Sequence, residues 1–186
     1  MAGYVDPQSI HNPATGVSPA SAWGDTVRDD VAYLAGDAAS GNPKPLARVY
    51  NSSALTIANN TPTALTFNSE RFDIAGMHST SSNTSRLTVP TGCGGKYRIG
   101  AHIQWASNAS GNRAVWLYAN GATVIAVEEK TPFSGAAISM SVSTLWTLAA
   151  GDYVEVYVQQ TSGGSLDVNV ASAYSPEFWA EWCGVG

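Results

Sequence analysis

The stretch from Val89 to Trp105 dictates more about the fold of this chain than any other. It opens with a turn that no helix could contain: Pro90, then Gly92, Gly94 and Gly95 around Cys93. It then alternates strictly. Tyr97, Ile99, Ala101, Ile103 and Trp105 fall on one side of an extended backbone, and Arg98, Gly100, His102 and Gln104 on the other. A period of two over this length predicts a half-buried antiparallel strand.

The chain after Ala47 supplies further strands with turn signals between them. Strands are expected over 47–50, 54–58, 63–67, 86–89, 113–119, 123–128, 137–148, 153–160, 166–171 and 178–183. Asn59-Asn60-Thr61-Pro62 is a turn, and Asn120-Gly121 is the strongest short hairpin signal in the chain. Residues 68–83 read as a long polar loop whose Phe72, Ile74 and Met77 tuck inward. Roughly eight to ten short strands with no helix among them predict an all-β, antiparallel two-sheet sandwich. Periodicity alone leaves a jelly roll and an immunoglobulin-type sandwich both open.

The first 46 residues read differently. Residues 1–17 lack any apolar period and are punctuated by Pro7, Pro13 and Gly16. They are either an unstructured tail or an arm that orders only on a neighbouring protein. A helix is expected next, with Ser18 as its cap, Pro19 at its first position and Gly36 after its end. Trp23, Val27, Val31 and Leu34 form one apolar stripe along it. About five turns are too few to be stable alone in water, so the stripe must dock on something. Residues 37–46, closing on Pro43 and Pro45, are a linker, and 47–186 are the domain.

Charged residues are only 12% of the chain and the net charge is −5. No basic stripe exists to displace counterions, which argues against nucleic acid and against an anionic membrane surface. No run of 18 apolar residues occurs, and the first residues lack the basic-then-apolar pattern of a secretory signal, so synthesis in a cytosol is expected. Two cysteines, Cys93 and Cys183, are too few for a disulfide framework.

Catalytic patterns are missing. His11, His78 and His102 are scattered, and no Cys-x-x-Cys, nucleophile elbow or phosphate loop occurs. No enzyme activity and no cofactor are expected. Glu128 and Glu129 are adjacent on a strand and so face opposite sides. Asn68, Glu70 and Asp73 could offer oxygens to calcium, though ordinary loop polarity accounts for them better. Of the six tryptophans, Trp105, Trp146 and Trp182 alternate with apolar neighbours, as core or subunit-interface residues do. Trp116 and Trp179 sit at opposite-phase positions and could form an exposed sugar-binding platform. On 153–158, Val154, Val156 and Val158 face one way and Tyr153 and Tyr157 the other, and 114–118 behaves similarly. A strand that is apolar on both faces is covered on both. In a two-layer sandwich the second cover is another chain, which makes Trp116, Tyr118, Tyr153 and Tyr157 interface candidates.

Several cues in residues 47–186 come in a familiar order. Phe67 ends a strand before a loop with Phe72, and Pro90, Gly95 and Tyr97 lead into the long strand. Leu117 to Gly121 ends in Asn-Gly, and Leu148 leads to Gly151-Asp152-Tyr153-Val154. This order resembles the jelly roll of tumour necrosis factor and of the globular heads of complement subcomponent q. Phe178 to Trp182 departs from the family's ending. The resemblance implies a homotrimer. It also implies that the last strand runs antiparallel beside the strand starting near Tyr97, which would bring Cys93 and Cys183 together as a possible disulfide. His11-Asn12-Pro13-Ala14-Thr15-Gly16 and Ala22 to Asp30 resemble the leader of small virion proteins of tailed bacteriophages. That likeness implies a structural protein on the virion surface, a head decoration or head fibre anchored to the major capsid or tail protein by residues 1–36. The alternative is a tail-associated adhesin recognising a host surface glycan.

Overall fold

The computed structural model describes residues 44–133, 135–172 and 174–184. The expected arm, the helix with Trp23, Val27, Val31 and Leu34, and most of the linker lie outside the described residues. The chain divides between Lys44 and Pro45, and every element named below belongs to the second unit.

Twelve strands occur among the described residues: β1 Leu46–Tyr50, β2 Leu55–Ile57, β3 Thr63–Ala64, β4 Ser69–Asp73, β5 Arg86–Thr88, β6 Gly95–Trp105, β7 Arg113–Ala119, β8 Thr123–Lys130, β9 Ile138–Leu148, β10 Tyr153–Gln160, β11 Leu166–Val168 and β12 Glu177–Gly184. They form two antiparallel sheets. In the first, β6 pairs along its whole length with β9, from Gly95 opposite Leu148 to Trp105 opposite Ile138. Its other side is shared by β12, which leads on to β1 and β4, and by β11, which leads on to β2. In the second, β10 pairs with β7, which pairs with β8, and the far side of β10 is shared by β5 and β3. This is the jelly-roll sandwich, and the alternation read in residues 97–105 is what aims β6 into it.

The inward positions of both sheets make one core. Tyr97, Ile99, Ala101, Ile103 and Trp105 are all at most 1% exposed and meet Val154, Val156, Val158, Leu117 and Phe178 within the same cluster. Phe67 and Phe178 pack with ring centroids 5.5 Å apart. The glycine turn before β6 is tied to this core, because the Tyr97 hydroxyl donates to the Cys93 carbonyl at 2.7 Å. The Asn120-Gly121 hairpin forms as expected, with both residues in the left-handed region at φ 53° and 65°. The Asn120 side chain also binds the next connection, donating to Asp152 and accepting from the Tyr153 amide, each at 2.9 Å.

The expected long loop is different. Residues 69–73 are not loop but β4, paired to β1 with an irregularity between Arg48 and Val49. Phe72 and Ile74 do not tuck inward; they are 42% and 48% exposed, and only Met77 is buried. Phe72 lies opposite Arg48 on the outward side of the sheet, at its edge.

Candidate functional site

Two outward sheet faces carry the side chains that the core does not use. On the first sheet, Glu177, Trp179 and Glu181 of β12 point away from the core, because their neighbours Phe178 and Ala180 point into it. Trp179 lies opposite Gly100 on β6 and Arg48 on β1. A Cβ on Gly100 would stand 2.3 Å from the indole, so the glycine is what lets the ring settle on the sheet. Beside it Glu177 is only 1% exposed, and its two carboxylate oxygens are held from different strands. Arg48 donates from Nε at 2.8 Å, and Arg71 donates from Nη2 at 2.8 Å and Nε at 3.1 Å. Arg71 also stacks over Tyr50 at 3.9 Å. His102 meets Tyr174 edge-on at 5.5 Å. Arg48, His102, Tyr174, Glu177, Trp179 and Glu181, together with Leu46 and Phe72, line a groove of about 390 Å³. A second and more apolar groove of about 550 Å³ lies between Lys96, Leu145, Trp146, Thr147 and Cys183. Leu145 is 65% exposed and Trp146 40%, both on β9.

The second sheet's outward face gathers the four aromatics expected at an interface. Trp116 lies opposite Tyr157, and Tyr118 opposite Glu155. The Tyr118 and Tyr157 rings touch at 4.7 Å between centroids. Val127 and Val124 of β8 extend these rows outward, about half exposed. Glu155 is buried and paired, accepting from Ser85 Oγ at 2.7 Å and Arg86 Nε at 3.2 Å. Arg86 covers the Tyr153 ring at 3.9 Å. Burial pushes the Tyr157 hydroxyl above its ordinary range, and Glu155, Tyr153 and Tyr118 add to the shift.

The remaining candidates are spent on local structure. Asp73 caps a turn, accepting from the Met77 and His78 amides at 2.9 and 2.8 Å. Glu70 meets His78 Nδ1 at 3.0 Å, and Asn68 accepts from the Ser52 amide at 3.0 Å. These oxygens are taken up by protein partners, and no metal-holding group of His, Cys, Asp and Glu occurs among the described residues. Trp105 is core, Trp182 packs against the core from a half-buried position, and Trp146 stays exposed at the sheet edge.

Cys93 and Cys183 are both free, so the expected disulfide does not form. The pairing of β12 with β6 is as the resemblance implied, but its register shifts between Trp182 and Gly184. Cys183 falls in that irregularity and lines the outer groove beside Lys96, while Cys93 is buried in the core cluster.

Local reading of the sequence missed Arg48, Arg71, Glu177 and Tyr174. The Glu177 contacts bridge 129 and 106 residues, so no motif spacing announces them. The available signal is the lone Arg48 inside Leu-Ala-Arg-Val-Tyr, a charge in a strand that is otherwise apolar.

No protein-family profile matches the chain, and no curated protein matches its sequence. Solved structures do match. The globular domain of zebrafish complement 1qA protein superposes with a TM-score of 0.54 at 16% identity, covering 77% of this chain and 100% of that one. The Eiger TNF of S. frugiperda superposes with a TM-score of 0.55 at 14% identity, covering 77% and 95%. At such identities the likeness is one of fold: the described domain is a jelly roll of the tumour necrosis factor and complement-q type.

Proposed function

We propose that the chain is a non-enzymatic structural protein of a tailed-phage virion, working as a homotrimer. The jelly roll is displayed on the particle as a head decoration or head fibre, and residues 1–36 attach it to the capsid or tail protein. The observation that carries the trimer is the outward face of the first sheet. It combines the exposed apolar Leu145 at the β9 edge, opposite the outward Arg98, with a groove flanked by Phe72 and Trp179 on the β1–β4 side. Projections on one side and a recess on the other suit a head-to-tail contact, which closes into a ring when the rotation permits. The polar groups there are already paired, Glu177 with two arginines and Glu181 with Arg98, as suits a surface built for contact.

Trp116, Tyr118, Tyr153 and Tyr157 on the second sheet are the competing seam. The Tyr118 and Tyr157 rings lean on one another and Tyr153 lies under Arg86, so less tyrosine surface is left to bury. Light scattering on the full chain is expected to give three times the 19.4 kDa chain mass. Leu145→Lys is expected to yield monomers, and Trp116→Lys to stay trimeric. A wild-type monomer at micromolar concentration overturns the trimer, and the reverse variant pattern moves the seam to the second sheet. Mass spectrometry of purified virions tests the particle assignment. Hundreds of copies indicate the capsid, a handful the tail, and absence overturns the virion reading.

A further inference from the structure

We infer that the outward face of the second sheet, centred on Trp116, Tyr118 and Tyr157, is a binding platform for a neutral saccharide chain. The inference rests on the first sheet being the trimer seam, which leaves this face outward. Trp116 is the middle of a row that crosses three strands, from Tyr157 on β10 to Val127 on β8. With strands about 4.8 Å apart, such a row is about 10 Å long. It is a strip long enough for more than one sugar ring, with the Tyr118 and Tyr157 rings inclined at 52° to one another. A sugar ring has an apolar C–H face and a hydroxyl rim, so it is matched by an aromatic face with polar atoms at its border.

Both parts are present. The indole and the two phenol rings supply the face. The Tyr118 and Tyr157 hydroxyls supply the border, extended by the Gln159 side chain, which donates to Asn60 Oδ1 at 3.1 Å. The Tyr118–Tyr157 contact fixes the rings before any ligand arrives, so little side-chain freedom is lost on stacking.

Charge decides which saccharides fit. The strip's cation, Arg86, is committed to Glu155 and Tyr153. At one end Glu129 of β8 lies opposite Ala114. Residues 44–186 carry nine acids against eight bases, so the charge on this face is decided locally. A uronate or sulfate group would find no open cation on this face among the described residues and would meet the Glu129 carboxylate, whereas a neutral glycan meets no such cost.

The test uses the full-length chain, titrated by calorimetry and tryptophan fluorescence with maltoheptaose, cellohexaose and laminarihexaose as neutral probes and oligogalacturonate as the acidic one. At least one neutral probe is expected to bind, and oligogalacturonate at least tenfold more weakly. Trp116→Ala is expected to abolish binding, and Tyr157→Phe, which keeps the ring, to weaken it a few-fold, with the trimer mass unchanged in both. Failure of every neutral probe, equal binding of the acidic one, or undiminished binding by Trp116→Ala overturns the platform. Dissociation of Trp116→Ala and Tyr157→Phe into monomers overturns it differently, by showing that this face is the seam. The seam itself stands or falls on Leu145→Lys.

Discussion

At the residue scale, the two cysteines and Tyr157 report their surroundings through chemistry that can be titrated. Cys183 is exposed and Cys93 buried, and burial pushes the Cys93 thiol up, so less of it is thiolate at a given pH. A colorimetric thiol assay of the native protein is expected to show one fast thiol per chain, with the second appearing only in denaturant. No thiol after unfolding without reductant would restore the disulfide, and two slow thiols would mean that Cys183 is covered as well. Tyr157 carries a pH prediction of definite sign. Its folded-state value is raised, so the folded chain holds this proton more tightly than the unfolded chain does. That contribution is complete below the ordinary tyrosine range and is lost as pH climbs through the folded value. The thermal midpoint of the wild type is therefore expected to fall more steeply than that of Tyr157→Phe once pH passes the ordinary tyrosine value of 10.0. Parallel slopes for the two proteins would assign the alkaline loss to other groups, Cys93 among them.

At the element scale, the strands differ in how openly the sequence states them. β7 and β10 are legible to the residue, because each alternates cleanly and is bounded by Asn-Gly or by a Gly-Asp turn. β6 is legible because Tyr97 to Trp105 leaves no other period. β4 is not legible. Ser-Glu-Arg-Phe-Asp has no alternation, and it is a strand only because β1 lies beside it to accept its backbone bonds. The interface aromatics were legible as a two-faced pattern, and the structure does gather them on one face. The groove around Glu177 was not, since its members on β1, β4, β6 and β12 are far apart in the chain and meet only when the first sheet forms. Glu177 therefore acts on elements more than on its own strand, clipping β1 and β4 to β12 through Arg48 and Arg71. Removing one member of a fully buried pair costs about 3–5 kcal/mol. Both arginines here are roughly a third exposed and can be rehydrated, so Glu177→Gln is expected to cost less, about 2 kcal/mol. For a chain of this length that lowers Tm by about 4–8 °C. A calorimetric scan showing an unchanged Tm would mean that solvent screens the clip entirely.

At the scale of the whole molecule, the question is whether the jelly roll and the first 40 residues do separable work. Among the described residues the core runs from Ala47 to Ala180. The sensitive point is β1, which begins at Leu46 and is flanked on both sides, by β12 and by β4, so a cut that reached it would open the first sheet. Removing residues 1–40 spares it and leaves Pro43, Lys44 and Pro45 ahead of the strand. The truncated head is therefore expected to fold with a Tm close to that of the full chain. If the seam is the first sheet's outward face, it is also expected to keep its trimer mass. What it should lose is attachment, because the sequence places the Trp23, Val27, Val31 and Leu34 stripe among the deleted residues, and a stripe of that kind is stable only when docked. Mixing the truncated and full-length proteins with particles that lack this protein, then pelleting, measures the difference directly. Full-length protein is expected to co-sediment, and truncated protein to stay in solution. If the truncated head decorates particles at normal occupancy, attachment belongs to the jelly roll. If it scatters light as a monomer, the trimer is held by the first 40 residues rather than by the sheet.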